Sequence, residues 1–315
     1  MSRLEELEAF VAIAKTLSIT RAADRLGLAK SAASRRLSDL ERRLGVPLFH
    51  RTTRRMHLTA AGDALLARAA RILDDVADAE TAASAGATSL AGALRIAAPH
   101  SFGLLHLRPI VEAFHQQHPA VRVEVDYSDR RVDLVGEGYD IGVRIGRLAD
   151  SSLVARRLCA IRDVVAASPA FWRKHGRPRR PSDLAALPCL AYSNLARPGS
   201  LRYWGPGGEE GVVEASIRSL ANDGQALAAL AEAGVGYVVE PLFILHEAIR
   251  DARLEPVLLD YAWSDLSLSV VWPPSRQMSA RVRAFSDAVI ARFADNPYWD
   301  DVLVSARRGK PKKAL

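Results

Sequence analysis

The stretch SITRAADRLGLAKSAASRRLSDLERRLGVPL, Ser18 to Leu48, decides how the amino-terminal part of the chain folds. It reads as two short helices joined by a tight turn. Ala22 and Ala23 are small enough for two helices to approach closely, and Gly27 stops the first of them. The second helix is predicted from about Lys30 to Leu44. Within it Ala33, Leu37, Leu40 and Leu44 recur at helical spacing and are expected to face inward. Ser31, Ser34, Arg35 and Ser38 share another face, where short hydroxyls and a forked cation suit base edges and phosphates. That is the layout of a helix-turn-helix with its second helix in a DNA major groove.

The flanks separate this reading from a plain helical hairpin with a solvated basic face. Leu4, Leu7, Phe10, Val11 and Ala14 form one apolar stripe, which predicts a covering first helix. After Gly45–Phe49 comes HRTTRRMHLT, residues 50–59, with Arg51, Arg54 and Arg55 in a β-prone stretch. A basic two-stranded wing along the phosphate backbone is expected there. Thr59 is a good N-cap for the next segment, residues 60–84, with Asp63 in its favourable first turns. Along it Leu65, Ala69, Ile72, Val76, Ala79 and Ala83 step by four and three alternately, a heptad seam over nearly three repeats. A linker helix that pairs two copies of the chain is predicted, followed by a hinge at residues 84–88.

Composition bounds the rest. A chain of 315 residues exceeds one ordinary core, so two or three domains are expected. No run approaches the roughly 18 apolar residues of a membrane span. The start, MSRLEELEAF, lacks the layout of a signal peptide, and a cytoplasmic location is expected. Cys159 and Cys189 lack CxxC spacing, so inert thiols are favoured over a disulfide, zinc or redox pair. The net charge of +7 is unevenly spread. Residues 1–58 hold 12 Lys and Arg against 6 Asp and Glu, whereas residues 91–306 hold 24 against 25. The basic charge therefore sits in the helix-turn-helix block and in the tail RRGKPKKAL, residues 307–315, as binding to double-stranded DNA requires. The tail itself is expected to be disordered.

From Leu90 onward short apolar strands alternate with helices. Strands are predicted at Leu94–Ala98, Val121–Tyr127 and Asp140–Ile145, with helices at Gly103–Gln117 and around Val132–Gly136. This run implies a parallel, doubly wound α/β sheet. A second set follows, with strands at Asp163–Ala167, Leu190–Tyr192 and Gly236–Val239 and helices near Pro181 and at Gly224–Ala233. Leu266–Trp272 is expected to return to the first set before a last helix, Ala280–Phe293. Open α/β sheets bind ligands at the carboxyl ends of their strands, where helix amino termini offer N–H groups. Pro99, His100, Ser101 and Phe102 open the first helix there, and Asn222, Asp223 and Gly224 open one in the second lobe. Arg144–Gly146 ends a strand beside this cleft and Tyr192–Asn194 faces it. No GxSxG, GxxxxGK[ST] or HExxH motif is present, so neither an enzyme nor a cofactor or metal site is read.

The chain closely resembles the LysR-type transcriptional regulators. Phe10–Gly62, FVAIAKTLSITRAADRLGLAKSAASRRLSDLERRLGVPLFHRTTRRMHLTAAG, carries the most specific part of the resemblance. LRIAAPHSFG, FHQQHPAVRVEV, DLVGEGYDIGVRIG, LVARRL, AASPAFWRKHG, PSDLAALPCLAY and AGVGYVVEP then follow in the family's order. Where the family often opens the recognition helix with Ser or Thr and then Gln or Pro, this chain has Ala29 and Lys30. Ala29 is a poor N-cap, and Lys30 replaces an amide by a cation.

The resemblance implies a winged helix-turn-helix over residues 1–59, a linker helix over 60–88, and a two-lobed effector-binding domain over 90–300, similar to periplasmic solute-binding proteins. Lobe I is expected at about 90–162 and 267–300, lobe II at about 163–266, and a basic tail at 301–315. Lys30, Ser31, Ser34 and Arg35 are expected to face the groove, Thr20 and Arg36 the phosphates, and Arg51, Thr52, Arg54 and Arg55 to form the wing. Leu65, Ala69, Ile72 and Val76 would hold a homodimer, or the dimers of a homotetramer. The family pattern places Ser101, Phe102, Arg144, Gly146, Tyr192 and Asn222 in an inducer pocket beside Pro99 and His100. Two helix amino termini and Arg144 make a carboxylate the expected small-molecule inducer. DNA with an interrupted dyad and RNA polymerase are the other expected partners. Rival readings are a cytoplasmic solute-binding protein, which leaves the first 60 residues idle, and an architectural DNA binder, which leaves the lobes idle.

Overall fold

The computed structural model describes residues 2–51, 56–84, 90–147, 153–274, 279–294 and 297–303. They form two compact units, one built on residues up to 94 with 118–122 and 135–138, the other on the remainder.

The first unit contains helices α1 (Arg3–Thr16), α2 (Ile19–Leu26) and α3 (Lys30–Leu44), strands β1 (Phe49–Arg51) and β2 (Met56–Leu58), and helix α4 (Ala60–Ser84). Ser18 caps α2 by accepting from Arg21 N–H, and Gly27 closes it at φ 64°, a left-handed conformation that strains any side chain. Ala29 offers α3 no side-chain cap. Phe10, Ile13, Ala22, Leu37, Leu40, Leu48, Phe49 and Ala69 meet in one core. The rings of Phe10 and Phe49 pack edge to face at 5.7 Å. Leu44, expected inside, is 41% exposed. The core ends at Leu40, and the last turn of α3 is held instead by Arg43, whose guanidinium donates to Glu6 of α1 at 2.6 Å. The wing strands pair antiparallel, with Phe49 opposite Leu58 and Arg51 opposite Met56. Thr59 caps α4, accepting from Gly62 N–H at 3.0 Å and donating to the Pro47 carbonyl at 2.8 Å.

Helix α4 uses part of its expected seam inside its own chain. Ala69 is fully buried and Leu65 packs beside it, both in the core of their own chain, where Leu66, Ala70 and Leu73 join them. Ile72 is 44% exposed. Val76 is half-buried. A heptad stripe and a stripe that covers a helical core have the same spacing, so periodicity alone did not separate them. The hinge expected at residues 84–88 lies outside the described residues from Ala85 on.

The second unit holds most of two five-stranded sheets. The chain runs through β3 (Gly92–Ala98), α5 (His100–Phe102), a π-turn (Gly103–Leu107), α6 (Arg108–Gln117), β4 (Val121–Tyr127), β5 (Ile141–Gly146) and β6 (Val154–Ile161). It continues with β7 (Asp163–Ala167), α7 (Pro169–His175), β8 (Pro188–Tyr192), β9 (Ser200–Trp204), β10 (Glu210–Glu214), β11 (Ser216–Ala221), α8 (Gly224–Glu232) and β12 (Tyr237–Pro241). Helix α9 (Leu242–Arg250), β13 (Glu255–Val257), β14 (Leu266–Trp272) and α10 (Ala280–Phe293) complete it. The sheet orders are β4-β3-β5-β14-β6 and β11-β8-β12-β7-β13.

The parallel sheet that the sequence pattern predicts is not what forms: both sheets are mixed. β14 runs antiparallel to both β5 and β6, and β7 antiparallel to β12. The reason is topological. β6 leaves the first sheet for the second through Arg162, and β14 comes back beside it, so it must enter in the reverse direction. Asp163 and Asp265 sit beside these crossings. Residues Val132–Gly136 form turns rather than a helix, and Pro181–Ala186 is a 3-10 turn. The separate β9–β10 hairpin, β6, β11, α7 and α9 escape the sequence pattern because short or edge elements carry little periodicity.

Candidate functional site

On α3, Lys30, Ser31 and Arg35 are exposed and Ser34 is half-exposed; Thr20 is exposed on α2. These side chains are open to solvent. Arg36 is not. It sits one step around the helix from Arg35, turned to α1, where it faces Glu5 at 3.5 Å with 17% of its side chain exposed. An ion pair within the unit replaces the phosphate contact expected for it. Arg51 ends β1; Thr52, Arg54 and Arg55 lie outside the described residues.

In the second unit, the two lobes meet through polar contacts at the carboxyl ends of their strands. Asp129, just past β4, accepts from His100 N–H at 2.9 Å through Oδ1 and from the Tyr192 hydroxyl at 2.8 Å through Oδ2. Tyr192, the last residue of β8, in turn accepts from Asn194 Nδ2 at 3.2 Å. His100 Nε2 lies 3.5 Å from Asp223 Oδ2. Asp223 also caps α8, accepting from Ala226 N–H at 2.8 Å. One lobe thus supplies His100 and Asp129, the other Tyr192 and Asp223.

Behind these contacts lie two acids, Glu240, which is buried, and Asp163, which is half-buried with its Oδ1 out of reach of solvent. Glu240 on β12 is 4% exposed, and its Oε2 rests against the first turn of α8; a Cβ on Gly224 would come within 2.8 Å of it. A side chain at Gly224 would have to push the carboxylate and Ile244 aside. Asp163 opens β7 and is registered opposite Pro241, next to Glu240. Burial pushes both carboxyls up, Glu240 to about 8 and Asp163 to about 7; Asp163, Asp223 and Asp129 push Glu240 further in that direction. Burial and the bond to Asp129 also push the Tyr192 phenol up.

The other predicted pocket residues divide. Pro99 is the backbone cap of α5 and Ser101 lies buried one residue inside the helix, so Ser101 is not the cap that the sequence suggests. Phe102 is fully buried among Phe243, Phe293 and Trp299 and reaches no cleft. It points to the apolar side of its helix, where four large rings fill the core. Arg144 donates to the Val132 carbonyl at 2.7 Å, and the Gly146 carbonyl accepts from Ser267 Oγ at 3.2 Å. Both serve the first lobe. Asn222 is exposed beside Asp223. The acids Asp129 and Glu240 were missed; a charged residue inside the apolar strand YVVEP, Tyr237–Pro241, was the available signal for the second.

Two family profiles match the chain: the lysR family of bacterial regulatory helix-turn-helix proteins over residues 4–63, and the LysR substrate binding domain over residues 87–294. The chain belongs to the LysR family. It is a DNA-binding transcriptional regulator with an effector-binding domain, and the family is one of regulators rather than enzymes. The LysR-type chain is 35% identical to the regulator PtxR of Pseudomonas aeruginosa over 94% of each chain. It is 34% identical to the regulator CrgA of Neisseria meningitidis, over 93% of this chain and 97% of that one. The solved structure of CrgA superposes with a TM-score of 0.60 at 31% identity, covering 94% of this chain and all of that one. Full-length AphB of Vibrio cholerae, at 23% identity and a TM-score of 0.59, shares the fold.

This regulator has a further cavity of about 530 Å³, lined in part by His106, Phe243, His246, Tyr298 and Trp299. His106 donates Nε2–H to the Phe243 carbonyl at 3.0 Å and accepts from the Tyr298 hydroxyl at 2.5 Å. Burial lowers it to about 4, which keeps it neutral. Cys159 and Cys189 are both buried, and burial pushes their thiols up to about 11, away from thiolate chemistry. No described helix is long and apolar enough to cross a membrane.

Proposed function

We propose that the regulator binds an operator with an interrupted dyad as a homodimer or a dimer of dimers, one α3 entering each major groove. The observation that carries this reading is the outer face of α3, where Lys30, Ser31 and Arg35 stand exposed on a helix held from behind by Leu37 and Leu40. Ile72 and Val76, on the part of α4 beyond the core, supply the inter-chain seam. A small effector between the lobes biases their closure or twist, re-angles the recognition helices, and changes DNA bending and recruitment of RNA polymerase. It does so only through a difference in affinity for the two states. The protein acts in the cytoplasm, with its DNA. The carboxylate suggested by Arg144 loses its support, because that guanidinium serves Val132 and the groups converging on the cleft are mostly acids.

The test is to pass fragmented genomic DNA over the purified protein at about 150 mM salt and sequence what is retained. Discrete peaks holding an interrupted dyad are expected. Diffuse retention would mean backbone binding alone and would overturn the operator reading.

A further inference from the structure

Building on the effector reading, we infer that the inter-lobe cleft takes an organic cation, an ammonium or amidinium group held by Glu240, Asp129 and Asp223. Glu240 Oε1 is buried and has no hydrogen-bond partner among the described residues. Buried acceptors are nearly always paired, so one left open in a cleft marks the place of a missing donor. Its own carboxylate is aimed at the first turn of α8, beside Asp223. The charges that act on it, Asp163, Asp223 and Asp129, are all acidic. An anionic ligand would add to that repulsion. A cation relieves it and donates N–H to Oε1.

The donor is organic rather than a bare metal ion. Among the described residues no three His, Cys, Asp or Glu side chains converge closely enough to hold a metal. The carboxylates are instead spread over two lobes, which suits a group with several N–H donors. Asp129 belongs to one lobe and already reaches Tyr192 of the other; Asp223 reaches back to His100. A cation bridging Asp129 and Glu240 therefore strengthens the closed arrangement of the lobes, which gives the effector its leverage.

Thermal melting of the full-length protein tests the inference, with 1,4-diaminobutane, succinate and butane-1,4-diol compared at matched ionic strength. A saturable rise in melting temperature with the diamine is expected. Glu240→Gln, and separately Asp129→Asn, should weaken its apparent affinity by at least about tenfold, the loss of one charge-assisted hydrogen bond. Asp129→Asn keeps the test decisive should the buried substitution disturb folding. No saturable response to the diamine, or an equal response in the wild type and both variants, overturns the inference. Saturable binding of succinate or the diol, weakened by Tyr192→Phe, would overturn the cation assignment and leave the effector cleft standing. Silence in all three arms would overturn both.

Discussion

On α3, Lys30 and Arg35 stand in water; beside the inter-lobe contacts, Glu240 is buried and Asp163 is half-buried. Exposed cations cost the fold little, because water screens them in the free protein, and on the proposed reading their attraction is spent on DNA when counterions are released. Buried acids do the reverse. They burden the folded chain, shift toward neutral pH, and become sensitive to whatever enters the cleft. A charged surface for a polyanion can therefore be preformed and passive, whereas a charged pocket for a small ligand stores a state that the ligand changes.

The largest effect that should separate the two regions is salt. With six to ten phosphate contacts per dimer, raising salt from 50 to 200 mM should weaken DNA binding by roughly 10³ to 10⁵. Effector binding between the lobes, on the proposed reading, should move far less, and equal sensitivity in parallel titrations would break the contrast.

Next comes the core behind α3. Phe10→Ala should cost about 3–5 kcal/mol in the first unit. All five tryptophans, Trp172, Trp204, Trp263, Trp272 and Trp299, lie in the second unit. Helical circular dichroism should thus show early unfolding while the tryptophan fluorescence transition stays in place. A joint shift of both signals would show that the units unfold as one.

Arg35→Ala should cost about 1–3 kcal/mol in operator affinity and relax sequence preference. Arg36→Ala, one position along, should lose only an ion pair with Glu5, about 0–1 kcal/mol of stability. Footprints that respond more to Arg36 than to Arg35 would reverse the assignment of the helix faces.

The cleft acids give a pH dependence of defined sign. Folded Asp163 and Glu240 keep their protons at pH values where the unfolded chain has lost them, so the folded state binds more protons and stability falls as pH rises. The loss begins near the ordinary carboxylate range and is complete as pH passes through about 7 for Asp163 and about 8 for Glu240. Glu240→Gln should flatten this slope by at most about 1.4 kcal/mol per pH unit. Melting curves from about pH 5 to pH 8 should show the variant gaining on the wild type with rising pH. A steeper slope in the variant would contradict the burial of an acid at this position.

Smallest is the bridge between lobes. Tyr192→Phe removes one hydrogen bond to Asp129, about 0.5–1.5 kcal/mol. Faster amide exchange of the His100 N–H, which is held by the same carboxylate, is the expected sign that the bridge has loosened. Unchanged exchange would mean that Asp129 is positioned by its own lobe.

The sequence by itself determined the first unit almost completely. Helices α2 and α3 end at Gly27 and Gly45, the core residues repeat at helical spacing, and the exposed Lys30, Ser31 and Arg35 sit on the face opposite those repeats. All of this is local, and local periodicity survives in one dimension. Exceptions occurred where two helices compete for a side chain: Arg36 goes to Glu5, and Ala69 goes to the core of its own chain rather than to a partner. In the α/β lobes the sequence located the strands that matter and the ends at which a cleft should form. Only the tertiary structure decided the cleft's chemistry. Asp129, Asp163, Tyr192, Asp223 and Glu240 come from separate strands and loops, and they meet only where the two lobes come together. The charge of a pocket is a sum over residues far apart in the chain, whereas the charge of a helix face is written along one turn after another.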